Sequence, residues 1–349
     1  MKIEAMIKLP MLVGIVLSAV LVGAEQMIQE PRTFFRDQIG LSDNQIATID
    51  SGGAVVKLLP SKTPAEIFIF GAMHVNAAPE DYLEFAFDMS RLRSLPGYLG
   101  VKRFSVPPAL SDLEGFTLEP EDIKSLSHCK PGKCDVQLSP EAMLQLQKAV
   151  DWSAPDVAGQ VNERIRRMAL ELLVRYQERG NGALEIYRDK SSAFDMDAAF
   201  QALLSRSEVP TVYLPELKRY LLEYPVTLPP SVESFFYWEK VDFGLKPTLR
   251  LNHVIAYRST GPRGTANVVV VKQLWASHYF QLALDLTASV PESGRTHGAG
   301  SYVISLKIST QQGLTGFMGF LRRRVAVRKT LALQEDNLIK IKGALEKRE

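Results

Sequence analysis

The side chains of this 349-residue chain that could do chemistry are five histidines, two cysteines and one dense run of arginines. His74, His128, His253, His278 and His297 are scattered singly, whereas a zinc site needs three or four converging ligands. His253 and His278 fall on segments that read as neighbouring strands, with Tyr257 and Tyr279 close by. They could face each other as an acid–base pair. Single histidines in a sheet also serve simply as hydrogen-bonded core or surface residues. The cysteines lie in His128-Cys-Lys-Pro-Gly-Lys-Cys134. There the turn pair Pro131-Gly132 can bring Cys129 and Cys134 within disulfide reach. A metal held by both thiols and His128 would still lack a fourth ligand. No Gly-x-Ser-x-Gly elbow, Gly-x-x-x-x-Gly-Lys loop or His-Glu-x-x-His motif occurs. No catalytic residue, cofactor or metal is therefore assigned.

Charge is local. Net charge is +2 and pI about 8.4, which does not call for a nucleic-acid partner. Asp81, Glu84 and Asp88 form an acidic row that reads as a solvated helix face. Arg322, Arg323 and Arg324, followed by Arg328 and Lys329, crowd like charges onto about two helical turns. A solvated face accommodates them, and so does contact with an anionic membrane surface, at about 1 kcal/mol per residue.

The first 24 residues bear on compartment. Lys2 and Lys8 border an apolar run, Leu9 to Val22, shorter than the roughly 20 apolar residues a membrane helix needs. Val22-Gly23-Ala24 then offers small residues to a signal peptidase, with Glu25 opening the mature chain. The reading is a signal peptide, residues 1–24, and an exported, periplasmic or secreted protein; an uncleaved anchor is the alternative. Export makes a disulfide the natural state of Cys129 and Cys134.

The elements follow from periodicity. Residues 25–53 form a lead-in with one short helix. Ala54–Leu59 and Glu66–Val75 read as strands, and Pro79-Glu80-Asp81 opens a helix carrying Tyr82, Phe85, Met89 and Leu92 at helical spacing. Leu95-Pro96-Gly97 stops it before a strand over Tyr98–Val106. Residues 110–234 are mainly helical; Val161, Ile165, Met168, Leu172 and Tyr176 make one apolar stripe, ended at Gly180-Asn181-Gly182. From Thr248 the chain alternates, with Leu249, Leu251, His253, Ile255 and Tyr257 on one face and Arg250 and Asn252 on the other. Asn267–Val290 has no Gly or Pro and as one straight strand would reach about 80 Å, so it must turn near Ala276-Ser277-His278. Ser301–Ser309 is the last strand. The segment from Gly313 to Leu345 is one helix of about 45–50 Å.

This order, with the look of Val75-Asn-Ala-Ala-Pro-Glu-Asp-Tyr82, resembles the START-type, or SRPBCC, superfamily of lipid-transfer domains and polyketide cyclases. The resemblance covers Glu66–Val106 and Val241–Leu345. It implies an α+β, helix-grip fold in which a curved antiparallel sheet surrounds the C-terminal helix. That domain is built from residues 54–109 and 235–349, with residues 110–234 as a helical insertion. Sheet and helix then enclose a cavity for a hydrophobic small molecule or lipid. His253, Tyr257, Trp275, His278, Tyr279 and Phe317 are its expected lining. The alternatives are a cyclase- or isomerase-like enzyme using His253 and His278 in that cavity, and a non-catalytic interaction protein working through the helical block.

Overall fold

The structure, a computed structural model, describes residues 30–347 except 95–96, 207–214, 227–231, 243–244, 262–263 and 293–299. The expected signal segment, residues 1–24, lies outside them. Two short helices come first, α1 (Pro31–Asp37) and α2 (Asp43–Asp50), where the lead-in was expected to hold one. The second starts at a capping box in which Ser42 and Gln45 satisfy each other's backbone N–H groups. Next come β1 (Val55–Leu59), β2 (Glu66–Val75), α3 (Pro79–Phe87), α4 (Met89–Ser94) and β3 (Tyr98–Arg103). The helical block holds α5 (Pro120–Leu126), α6 (Pro140–Ala149) and α7 (Val157–Arg179). A two-stranded ribbon of β4 (Ile186–Tyr187) and β5 (Phe194–Asp195) follows, then α8 (Met196–Arg206) and α9 (Pro215–Glu223). The chain ends with β6 (Val232–Val241), β7 (Thr248–Gly261), β8 (Gly264–Ala276), β9 (Phe280–Pro291), β10 (Ser301–Gln311) and the 30-residue α10 (Gly316–Leu345).

Eight of the described strands form one antiparallel sheet in the order β1-β2-β10-β9-β8-β7-β6-β3. The long apolar run of residues 267–290 folds back at Ser277–Tyr279, where Tyr279 takes a left-handed φ of 59°. The architecture is α+β helix-grip: α10 lies across β1 and β2 on the inner face, beside α3. Its approach is set by Gly71 in β2. A Cβ there would sit 2.9 Å from Leu338 Cδ1 and 3.0 Å from Gln334 Nε2, so a larger residue would make these two α10 side chains give way.

Both faces of the sheet are covered, and period-two alternation decides which residue goes where. Met73, Val75, Phe235, Tyr237, Val254, Ala256, Val269 and Val303 face inward, against Tyr82 and Leu83 of α3 and Leu338 and Leu345 of α10. Phe70, Ile255, Val268, Val270, Leu284, Leu286 and Ile304 face outward, against α1, α2, α8 and α9. Farther along the same outer face, Phe236, Trp238, Leu249, Leu251, Leu274 and Trp275 pack on α5, α6 and α7. A bulge opposite Leu251 and Asn252 lets the successive residues Leu274 and Trp275 both reach that outer core. The α7 helix stops at Gly180, φ 58°, where an added Cβ would lie 1.5 Å from the Tyr224 carbonyl oxygen; glycine is required there. Cys129 and Cys134 are joined, with Cα atoms 4.6 Å apart across the Pro131-Gly132 turn. Among the described residues no helix is long and apolar enough to cross a membrane.

Candidate ligand cavity under the C-terminal helix

Between the inner face and α10 lies a cavity of about 180 Å³. The register of the strands explains its lining. One row across the sheet runs Val254–Val271–Asp285–Lys307, and the next runs Ala256–Val269–Thr287–Ser305–Gly71. The apolar part of the wall comes from Val254, Val269 and Val271, from Phe85, Met89 and Leu92 on α3 and α4, and from Ile341 on α10. The polar part is unusual for a sheet interior. Glu239 on β6 pairs directly with Arg250 on β7, Nη1 to Oε1 at 2.9 Å, and both are buried. The Glu239 carboxylate also accepts from Asn252 Nδ2 at 3.1 Å and from the Tyr237 hydroxyl at 3.3 Å, while Arg250 Nε donates to Gln273 Oε1 at 3.2 Å. Two strands away Lys307 Nζ lies 3.2 Å from Asp285 Oδ2.

Electrostatics follow from that pairing. Burial pulls the Arg250 guanidinium down, but the charges of Glu239 and Asp285 more than offset it and hold its pKa above the ordinary value. Burial, followed by the charge of Glu239, pushes the Tyr237 and Tyr98 phenols well up. Burial likewise raises Tyr82 to about 12, although a hydrogen bond with Thr287 works against the shift. The cavity wall therefore presents neutral phenols beside paired charges. Asn252 Oδ1, next to Glu239, and Gln334 Oε1, on the α10 wall, are buried polar atoms with no hydrogen-bond partner among the described residues.

The expected lining residues sit elsewhere, and the reason is register. His253 and Tyr257 share the outer face of β7 with Leu251 and Ile255, and the bulge turns Trp275 the same way. His253 is fully buried, stacked on Phe236 at 4.5 Å, with Nδ1 3.3 Å from the Tyr176 hydroxyl. Trp275 Nε1 donates to the Gln137 carbonyl at 2.9 Å. His278 lies at the β8–β9 turn with Nε2 2.8 Å from Asp122 Oδ2 and Nδ1 3.1 Å from the Asp135 carbonyl oxygen. Beside it the Tyr279 hydroxyl accepts from the Lys246 backbone N–H at 3.1 Å. The Phe317 side chain is outside the described residues. None of His253, Tyr257, Trp275, His278 and Tyr279 lines the cavity, and the two imidazoles belong to separate networks. His278 with Asp122 and Lys246 instead ties the disulfide-bearing segment to the sheet. Burial pushes the Asp122 carboxyl up, but hydrogen bonds from His278 and Lys246 hold it below the ordinary range.

The basic run also divides. Arg323 turns inward, its Nη1 donating to the carbonyls of Pro64 at 2.7 Å and Glu66 at 2.6 Å, while Arg322, Arg324 and Arg328 are exposed. A wider, open cleft of about 540 Å³ lies on the helical block. Two of its charged residues, Arg175 and Glu185, pair at 2.8 Å. A cavity under α10 was expected, but its lining was not, because the signal of that lining is polar. Glu239, Arg250, Asp285 and Lys307 each interrupt a β-branched or aromatic strand at an inward position, and charges inside such strands were the available clue.

No protein-family model and no curated protein sequence matches the chain. Among solved structures it is similar to a STAR-related lipid transfer protein from Xanthomonas axonopodis, at 8% identity and a TM-score of 0.34, over 82% of this chain and 93% of that one. It is also similar to the Zhui aromatase/cyclase from a Streptomyces species, at 12% identity and a TM-score of 0.24, over 44% of this chain and 87% of that one. At these values the likeness identifies no ligand and no reaction; the helix-grip assignment stands on the strand order and on α10.

Proposed function

We propose that the chain is an exported binding protein that holds a small hydrophobic molecule or lipid in the cavity under α10. The observation that carries this is the cavity itself: Val254, Val269, Val271, Phe85, Met89 and Ile341 border a space that no side chain fills. Apolar surface facing such a space is gained back when an apolar ligand occupies it. The volume, about 180 Å³, is below the roughly 300–1,000 Å³ of drug-sized sites, which favours a single chain or small ring over a two-chain lipid. Native mass spectrometry of protein isolated from its source without detergent tests the reading. An adduct of lipid-like mass is expected, and it should be lost in Val269→Trp, which fills the space. A bare mass for the parent chain, with no uptake of a fluorescent lipid, removes the reading.

Two further parts of the proposal have their own supports. Export is supported by residues 1–24 and by the disulfide, and N-terminal sequencing of the mature protein should begin at Glu25. Membrane contact is supported by the first half of α10, where Met318, Phe320, Leu321 and Val325 are exposed among Arg322, Arg324 and Arg328. Exposed apolar groups interleaved with cations suit an anionic bilayer. Co-sedimentation with phosphatidylglycerol vesicles but not with phosphatidylcholine vesicles is expected, and equal recovery with both removes the contact.

A further inference from the structure

The helical block holds a space of its own, on the other side of the sheet from the cavity under α10. The open cleft of about 540 Å³ runs between α6, α7 and the β4–β5 ribbon. At its floor is a second, smaller space of about 40 Å³. Ser139, Ala142, Met168 and Glu185 border both, and the small space ends on the sheet at Leu251 and Trp275. Its existence follows from side-chain size: Ser139, Ala142 and Ala169 are too short to close the gap above Leu251 and Trp275. Half-buried Met168, unbranched and readily rearranged, stands at the entrance. Where an apolar space of roughly 150 Å³ admits a benzene ring, one of about 40 Å³ admits only a small aliphatic group.

The rim above this floor is polar, with a surplus of positive charge. Arg175 pairs with Glu185 at 2.8 Å, and Glu171 is met by Arg164 at 3.6 Å. The exposed side chains of Arg179 and Arg188 have no hydrogen-bond or ion-pair partner among the described residues. Glu141, without a cation among those residues, reduces the surplus but does not cancel it. The Arg188 carbonyl accepts from the Gly132 N–H at 2.6 Å, which brings the disulfide turn alongside. Lys130, Lys133 and Lys190 are exposed there, against one exposed carboxylate, Asp135.

We infer that the cleft docks an extended acidic segment of a partner protein. That segment plants one small aliphatic side chain in the floor space and sets its carboxylates against Arg179 and Arg188. An apolar anchor in a central pocket, ringed by polar and arginine contacts, is the usual anatomy of a protein interface. The cleft is too open to enclose a free small molecule, most of whose surface a ligand site buries. Ile186, 52% exposed at the rim, offers apolar surface to the residue next to the anchor. The docking needs nothing to occupy the cavity under α10.

Selection of a phage-displayed random-peptide library on the purified protein, followed by fluorescence polarisation of the enriched peptides at pH 7.5, tests this. Enriched sequences should place a valine, leucine, isoleucine or methionine beside aspartate or glutamate. Ala142→Leu fills the floor space and Arg179→Glu reverses a rim charge, and each should weaken the best peptide at least tenfold. Arg179→Lys should stay within threefold of the parent. Arg179→Glu alters an exposed side chain and carries the test should Ala142→Leu fail to fold. No enrichment over the bare support, enrichment of basic or aromatic peptides, or equal binding to the parent and to either variant overturns the inference. Displacement of the peptide by isovalerate at a comparable concentration would assign the cleft to a small acid. Dimerisation of the protein that Arg179→Glu abolishes would assign it to a second copy, and either result also overturns the inference.

Discussion

The two faces of the sheet are built from alternate residues of the same strands, yet they treat charge in opposite ways. On the inner face Glu239 meets Arg250 and Asp285 meets Lys307, each pair bordering open space. On the outer face Lys272 and His253 are fully buried in a filled core, and neither is hydrogen-bonded to a carboxylate among the described residues. Lys272 Nζ donates to the Tyr176 hydroxyl at 3.0 Å and to Asn181 Oδ1, and lies 4.1 Å from the centre of the Phe200 ring. Burial, opposed only by the more distant Asp197, lowers Lys272 to about 7. Burial and the charge of Lys272 hold His253 well below the ordinary histidine value. A cation with a counter-charge can thus stay ionised beside a cavity, whereas one in a packed core with only neutral hydrogen-bond partners gives up its proton near neutrality.

The contrast is tested most sharply by making the same chemical change on both faces. Arg250→Met strands the Glu239 carboxylate and should destabilise the fold by about 3–5 kcal/mol in urea titrations at pH 7. A loss below about 1 kcal/mol would mean the pair does not hold the inner face together. Next in size is Leu338→Ala, which empties the contact of α10 with Gly71 and should cost about 3 kcal/mol. Its expected companion is faster uptake of a fluorescent lipid; unchanged uptake would separate helix packing from access to the cavity. Lys272→Met should have the opposite sign and stabilise the protein by about 2 kcal/mol at pH 7, after allowing for the hydrogen bonds lost at Tyr176 and Asn181. The pH dependence fixes the cause. The folded pKa is about 7 and the ordinary value is 10.5, so the unfolded chain binds the extra proton between them. Stability from a neutral Lys272 is complete above pH 10.5 and lost as pH falls to 7, so the advantage of Lys272→Met should shrink as pH rises through that window. A pH-independent difference would sink the explanation.

The sequence disclosed the architecture better than the site. Alternation in Leu249–Tyr257 separated His253 from Arg250 correctly, and the proline-free tail from Gly313 announced α10. Alternation alone does not say which face encloses space when helices cover both. The apolar, histidine-bearing face looked like a ligand wall, but the helices of the block and of the lead-in cover it, leaving only a space of about 40 Å³ beside Leu251 and Trp275. Which face is lined depends on contacts such as Tyr176–His253 and Gly71–Leu338, whose partners are 77 and more than 200 residues apart in the chain. The bulge at Leu274 that turns Trp275 outward has no local signature either.

His253→Phe gives the smallest effect and the finest test of how the outer face handles charge. Phenylalanine keeps the ring stacked on Phe236 and removes an imidazole whose Nε2 has no partner among the described residues, while Tyr176 loses one contact. These changes oppose each other, and above pH 6.5 the stability should move by less than about 1 kcal/mol. Below that pH the two proteins should diverge. His253 is held below its ordinary value of 6.5, so unfolding takes up a proton and the parent loses stability as pH falls from 6.5 toward the folded pKa. The variant has no such proton to bind and should lose less between pH 8 and pH 5 in urea titrations. Parallel losses in the two proteins would show that His253 is as well accommodated charged as neutral, and the difference between the faces would then rest on Lys272 alone.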